Sequence, residues 1–116
     1  MGAVHALAHS LGALKGIPHG VACGIFLPSV LKFNLPYIEK KIEFLSKYLA
    51  IPPKSFLEEI SSLLTSIGIP DNLRDVGVKE EEANEIVKGC AYSRSLRYNP
   101  RKASPEDLLS IVQSLL

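Results

Sequence analysis

The sequence predicts an all-α protein, a compact bundle of six or seven helices making up a single domain over residues 1–116. Three observations carry that expectation. Apolar residues recur at spacings of three and four along most of the chain. No segment alternates with the period of two that a half-buried strand requires. Short Pro/Gly breaks (Gly16-Ile17-Pro18, Ile51-Pro52-Pro53 and Gly68-Ile69-Pro70) separate the periodic segments, as connections between antiparallel helices do.

Composition narrows the function classes. Hydrophobic residues make up 47% and charged residues 22%, so disorder is not the default expectation. A net charge of +1 offers no general case for nucleic acid or an anionic membrane as partner. No run of about 18 uninterrupted apolar residues predicts a membrane span, and the start lacks the basic segment of a signal peptide. Cys23 and Cys90 form no CxxC pair, so free thiols in a cytoplasmic protein are the expectation, with a metal role for Cys23 as the alternative.

Residues 2–14 are expected to form a helix. Ala3, Ala6, Leu7, Ala8, Leu11, Ala13 and Leu14 are helix formers or small packers that run nearly all round it, as in a buried helix. Gly16 suits its C-terminal cap and Pro18 cannot continue it. Residues 20–33 form a second apolar helix that Pro28 should kink or split. Asn34-Leu35-Pro36 reads as a break, with a restart over residues 36–49. There Tyr37, Ile38, Ile42, Leu45 and Leu49 face inward and Glu39, Lys40, Lys41, Glu43 and Lys47 outward. Residues 54–67 form another helix with Phe56, Leu57, Ile60, Leu63, Leu64 and Ile67 inward.

A short turn is expected over residues 71–75, ended by Gly77. A helix over 79–93 has three acids in its first turn, Glu80 to Glu82, where carboxylates suit the helix dipole. Ile86, Val87, Cys90 and Ala91 are its inward face. Residues 94–103 read as an irregular basic loop. Arg94, Arg97, Arg101 and Lys102 are there either as solvated charges or to meet a phosphate or acidic partner. Ser104-Pro105-Glu106-Asp107 is a strong start for a last helix: Ser as N-cap, Pro at the first position, acids behind.

The chemistry lies at the start. All three histidines, His5, His9 and His19, fall in the first 19 residues, and no acid precedes Glu39. His5 and His9 are one turn apart on one helix face. A helix–turn–helix could fold His19 back beside His5. Imidazole suits iron, zinc, nickel or copper. A lone histidine on an apolar helix is ordinarily a hydrogen-bonded core residue; three together point to a site. A catalytic metal usually takes three or more protein ligands, often with a carboxylate, and none is near. The site must therefore draw on distant acids or on another polypeptide. No dinucleotide, Walker, nucleophile-elbow or HExxH motif offers a rival. Gly2, Gly12, Gly16, Gly20 and Gly24 recur at wide intervals that suit close helix packing better than a phosphate loop.

VHALAHSLGALKGIPHGVACGIFLPSVLKFN resembles the signature of the iron-containing (group III) alcohol dehydrogenases. Its H-A-x-A-H-x-L-G, G-I-P-H-G and L-P-x-V-x-x-F-N pieces occur in order. YNPRKASPEDLLSIV resembles the closing segment of the same family. The resemblance is strong at both ends and weak between. It implies a C-terminal part of the helical, dehydroquinate synthase-like domain, without the N-terminal domain that binds NAD or NADP. It also implies a ferrous iron, or a zinc, held by one Asp and three His, of which two map onto His5 and His19. His9 matches a histidine beside the metal and the nicotinamide and becomes the catalytic candidate, as proton relay or substrate contact. The other Asp and His have no counterpart. Ser10 stands where the family commonly has Pro, and Lys15 where an aromatic is frequent.

The expected function is therefore the metal-binding portion of an NAD(P)-dependent alcohol dehydrogenase, inactive as an isolated chain. Partners would be further copies of the chain or a separate nucleotide-binding half. The rival expectation is a non-catalytic helical module for self-association or partner binding. A weaker third is a metal protein using His5 and His19 from two chains.

Overall fold

A computed structural model describes all residues, Met1–Leu116, and is entirely helical. Five α-helices follow in order: α1 (Ala3–Lys15), α2 (His19–Leu49), α3 (Phe56–Ser66), α4 (Ala83–Cys90) and α5 (Pro105–Ser114). Single turns of tighter helix lie at Pro53–Ser55, Arg74–Val76 and Glu80–Glu82, and a longer one at Arg94–Tyr98.

The helix count falls below the six or seven expected because two segments are one. α2 runs unbroken through both Pro28 and Pro36. Each proline removes one N–H from the helical ladder, yet neither ends the helix. One turn before Pro36, Arg101 Nη1 donates to the Phe33 carbonyl at 3.0 Å, and its guanidinium lies 4.2 Å from the Phe33 ring centroid. A charged donor from the far end of the chain thus supports the backbone where the proline loosens it. Length and mean hydropathy would let α2 cross a membrane. Its apolar face is instead buried between helices, through Ala22, Ile25, Phe26 and Val30.

The core lies among α1, the first half of α2, α4 and α5. Leu7, Leu11, Phe26, Ile86, Leu108 and Val112 are its larger members, all with almost no exposed surface. α1 buries Ala3, Ala6, Leu7, Ala8, Ser10 and Leu11 and leaves only a narrow strip, with His9 and Ala13, in solvent. A second cluster of Ile38, Ile42 and Phe56 joins the far half of α2 to α3. There the expected inward faces need correction. Ser46 is buried in line with Ile38 and Ile42, whereas Tyr37, Leu45 and Leu49 are exposed. On α3 only Phe56 is fully buried, and Leu63 and Ile67 lie in solvent.

The chain breaks follow the turn chemistry. Gly16 ends α1 at φ 68°, with its N–H on the Gly12 carbonyl at 2.8 Å. Gly77 ends the Arg74–Val76 turn at φ 83°. The expected helix over 79–93 is shorter: it opens as a tight turn, becomes α4 at Ala83 and stops at Cys90, leaving Ala91 exposed. Ser104 caps α5 through a reciprocal pair. The Asp107 N–H donates to Ser104 Oγ at 3.1 Å and the Ser104 N–H to Asp107 Oδ2 at 2.9 Å. Close packing accounts for Gly24, where an added Cβ would sit 2.8 Å from Ile69 Cγ2; nothing crowds Gly16 or Gly20.

Candidate metal centre

α1 carries His5 and His9 one turn apart, and the tight Gly16–Pro18 turn reverses the chain so that His19 opens α2 beside them. The three rings form a triangle. Centroids are 5.9 Å apart for His5 and His9, and 5.2 Å for both His5–His19 and His9–His19. His5 is half-buried; His9 and His19 are exposed. The cluster therefore sits on the molecular surface.

Electrostatics favour neutral imidazole at His5. Burial lowers its pKa below the ordinary value, and the neighbouring His19, the N-terminal amine and His9 lower it further, since a second positive charge there is unfavourable. Neutral imidazole is the form that ligates a metal. Donor atoms of His5, His19 and Cys23 all lie within 4.8 Å of one another, and no Asp or Glu joins the group. Two imidazoles with a nearby thiol are a donor set that fits a transition metal. The shortfall of carboxylates expected from the sequence is thus a property of the folded site.

Beside His5 opens a pocket of about 520 Å³ lined largely by apolar residues, with His5, Cys23, Leu27, Leu31 and Asn34 among its walls. Two further wall residues, Asn99 and Pro100, come from the segment after Arg94–Tyr98. Sequence reasoning missed their part. Asn99 Oδ1 accepts the Ala3 N–H at 3.1 Å, and Asn99 Nδ2 donates to the Arg101 carbonyl at 2.6 Å. α1 has no acid in its first turn and no side-chain cap of its own, so Asn99 supplies the cap. Gly2 packs closely on this cap: an added Cβ would sit 2.9 Å from Asn99 Oδ1, so a side chain there would push on the amide. Arg101, read from sequence as a solvated or phosphate-binding charge, is instead half-buried against Phe33.

The whole chain, residues 1–116, matches the profile described as Fe-containing alcohol dehydrogenase family, C-terminal. The chain belongs to the iron-containing alcohol dehydrogenase family. Among relatives, the lactaldehyde reductase of Escherichia coli K12 is 31% identical over 96% of this chain and 31% of that protein. The 1,3-propanediol dehydrogenase of Klebsiella pneumoniae is 34% identical over the same shares. The crystal structure of a 1,3-propanediol oxidoreductase superposes on all of this chain and 33% of its own, with a TM-score of 0.93 and 30% identity. The chain thus spans about a third of the length of the relatives it matches. The comparisons agree with the all-helical fold expected of the C-terminal domain in this family.

Two further contacts brace α1. Ser10 Oγ donates to the Ile86 carbonyl at 2.6 Å and joins α1 to α4. Lys15 Nζ lies 2.7 Å from Glu82 Oε1, which pairs the C-terminus of α1 with the acidic approach to α4.

Proposed function

We propose that this chain is the metal-holding helical part of an NAD(P)-linked alcohol dehydrogenase. His5 and His19 would be metal ligands, and His9 the group that relays a proton or contacts the substrate. The observation that carries this is the triangle of imidazoles, with ring centroids within 5.9 Å, in a chain of this family.

A ferrous or zinc ion held there would supply a Lewis acid for the alcohol oxygen. The remaining work falls to the chain itself. α1 and α2 are held by a packed core, so the backbone under His5 and His19 is fixed with the two rings 5.2 Å apart, and only side-chain rotation would remain for them to converge on an ion. His9, exposed beside them, would take the hydroxyl proton of a bound alcohol and pass it to water, while a nicotinamide held elsewhere in the complete enzyme would supply the hydride acceptor. The apolar pocket beside His5 would exclude water from the carbon chain of the substrate. The missing Asp, the remaining His and the nucleotide site would come from outside these 116 residues, as a covalent continuation or a separate half. The same reading takes the protein as cytoplasmic.

A different observation favours a second reading, a non-catalytic module for self-association. Phe44 and Tyr48 on α2, with Leu63 and Ile67 on α3, expose apolar surface that nothing in the chain covers. Activity separates the two. The first reading expects no alcohol oxidation by the purified chain with ferrous ion or zinc. It expects activity when a nucleotide-binding half of the same family is co-expressed, and loss of that activity in His9→Ala. Turnover by the chain alone, or a co-expressed pair unaffected by His9→Ala, contradicts it.

A further inference from the structure

Cys23 follows His19 by one turn of α2, so its side chain returns to the histidine's face. Its Sγ stands 3.5 Å from His19 Nε2 and 3.9 Å from Nδ1. The cysteine also shares the wall of the apolar pocket with His5, on the opposite helix. One donor atom from each of His5, His19 and Cys23 lies within 4.8 Å of the other two.

Those spacings are near those of a tetrahedral centre. Zinc–nitrogen bonds of about 2.0–2.1 Å and zinc–sulfur bonds of about 2.3 Å place neighbouring donors about 3.5 Å apart. The Cys23–His19 pair already has that separation. The widest pair need close by only about 1 Å to reach it, within reach of a side-chain rotation. Both helices are held by the core, so the backbone under the three residues is in place before any ion arrives.

We propose that Cys23 is a metal ligand, so that His5, His19 and Cys23 form a three-ligand site within this one chain. The fourth position is left to water or a substrate oxygen. The thiolate directs the site to zinc or cobalt in preference to ferrous iron. This rests on the reading of His5 and His19 as ligands, but it removes the need for a carboxylate to hold the ion.

Cobalt titration of the full chain tests it. One equivalent of Co2+ is expected to give a near-ultraviolet thiolate-to-cobalt charge-transfer band together with the intense visible bands of four-coordinate cobalt, and zinc should displace both. Cys23→Ser and Cys23→Ala should abolish the charge-transfer band and weaken zinc binding about tenfold or more, with helical circular dichroism retained. Cys90→Ala should leave the band in place. Visible cobalt bands without charge transfer would overturn the role of Cys23 and leave the histidine reading standing. Failure of the chain to bind cobalt or zinc at all would overturn both. Saturation at half an equivalent would overturn the single-chain site in favour of one shared by two chains.

Discussion

Asn34 and Asn99 are 65 residues apart and hold each other by both ends of their amides. Asn34 Nδ2 donates to Asn99 Oδ1 at 3.2 Å, and Asn99 Nδ2 donates to Asn34 Oδ1 at 2.7 Å. Since Asn99 Oδ1 also caps α1 through the Ala3 N–H, one side chain ties α2 and the closing segment to the helix that bears His5. The two stretches of sequence that most resemble the family thus meet at one amide pair beside the candidate site.

Asn99→Ala is expected to destabilise the chain by about 3 kcal/mol, because it leaves the Ala3 N–H and the Asn34 amide without partners in a partly buried place. Urea unfolding checks the magnitude. Zinc affinity should fall as well, although Asn99 is no ligand. An effect under about 0.5 kcal/mol would mean that water replaces the amide without loss.

The α1–α4 contact makes a second test. A Cβ at Gly89 would overlap Ser10 Oγ and sit 2.9 Å from Ser10 Cβ. Gly89→Ala should therefore cost about 2 kcal/mol by overpacking, despite the better helix propensity of alanine. Adding Ser10→Ala should recover part of that loss. A stabilised Gly89→Ala variant would show that α4 shifts freely on α1.

Thiol chemistry should separate the two cysteines. Burial pushes the Cys90 thiol up to about 11, and its Sγ donates to the Ile86 carbonyl at 3.3 Å. Cys23 is half-buried, and burial raises it less far. Alkylation of the native protein near pH 8 is expected to label Cys23 first and Cys90 only after denaturant is added. Equal rates would show that the core opens readily around α4.

Stability should decline in acid through two carboxylates. A hydrogen bond from Lys15, then the Lys79 N–H, holds Glu82 below its ordinary 4.5; the Ser104 N–H and hydroxyl hold Asp107 below 3.8. A group with a lowered folded pKa adds stability that is complete above its unfolded value and is lost as the pH falls through the folded one. The unfolding midpoint should therefore hold near neutral pH as far as these groups decide it, and drop below about pH 4.5. Glu82→Gln should flatten that acid limb and lower the plateau. An unchanged acid slope would remove Glu82 from this account.

Local chemistry was legible in the sequence, and distant support was not. The spacing of His5 and His9, the Gly16–Pro18 turn and the Ser104 cap each rest on residues within one or two turns, and all recur in the fold. The break expected at Pro36 does not occur, and the helix there is supported by Arg101, 68 residues from Phe33. The cap on α1 likewise comes from Asn99, 96 residues from Ala3. Leu63 and Ile67 fit an inward helical stripe by spacing, but a short helix packed only along one edge leaves them in solvent. The histidine triangle could be anticipated. The return of Cys23 to His19 was visible as an i, i+4 spacing, yet only the folded turn brings His5 to the same point.

The central claim is that His5 and His19 hold a metal and His9 does not. Zinc titration by calorimetry on the purified chain and three single alanine variants tests it most directly. His5→Ala and His19→Ala should each weaken binding at least about 100-fold, since each removes one of few ligands, while His9→Ala binds within a few-fold of the parent. Equal losses at all three positions, or binding that survives His5→Ala and His19→Ala, would contradict it.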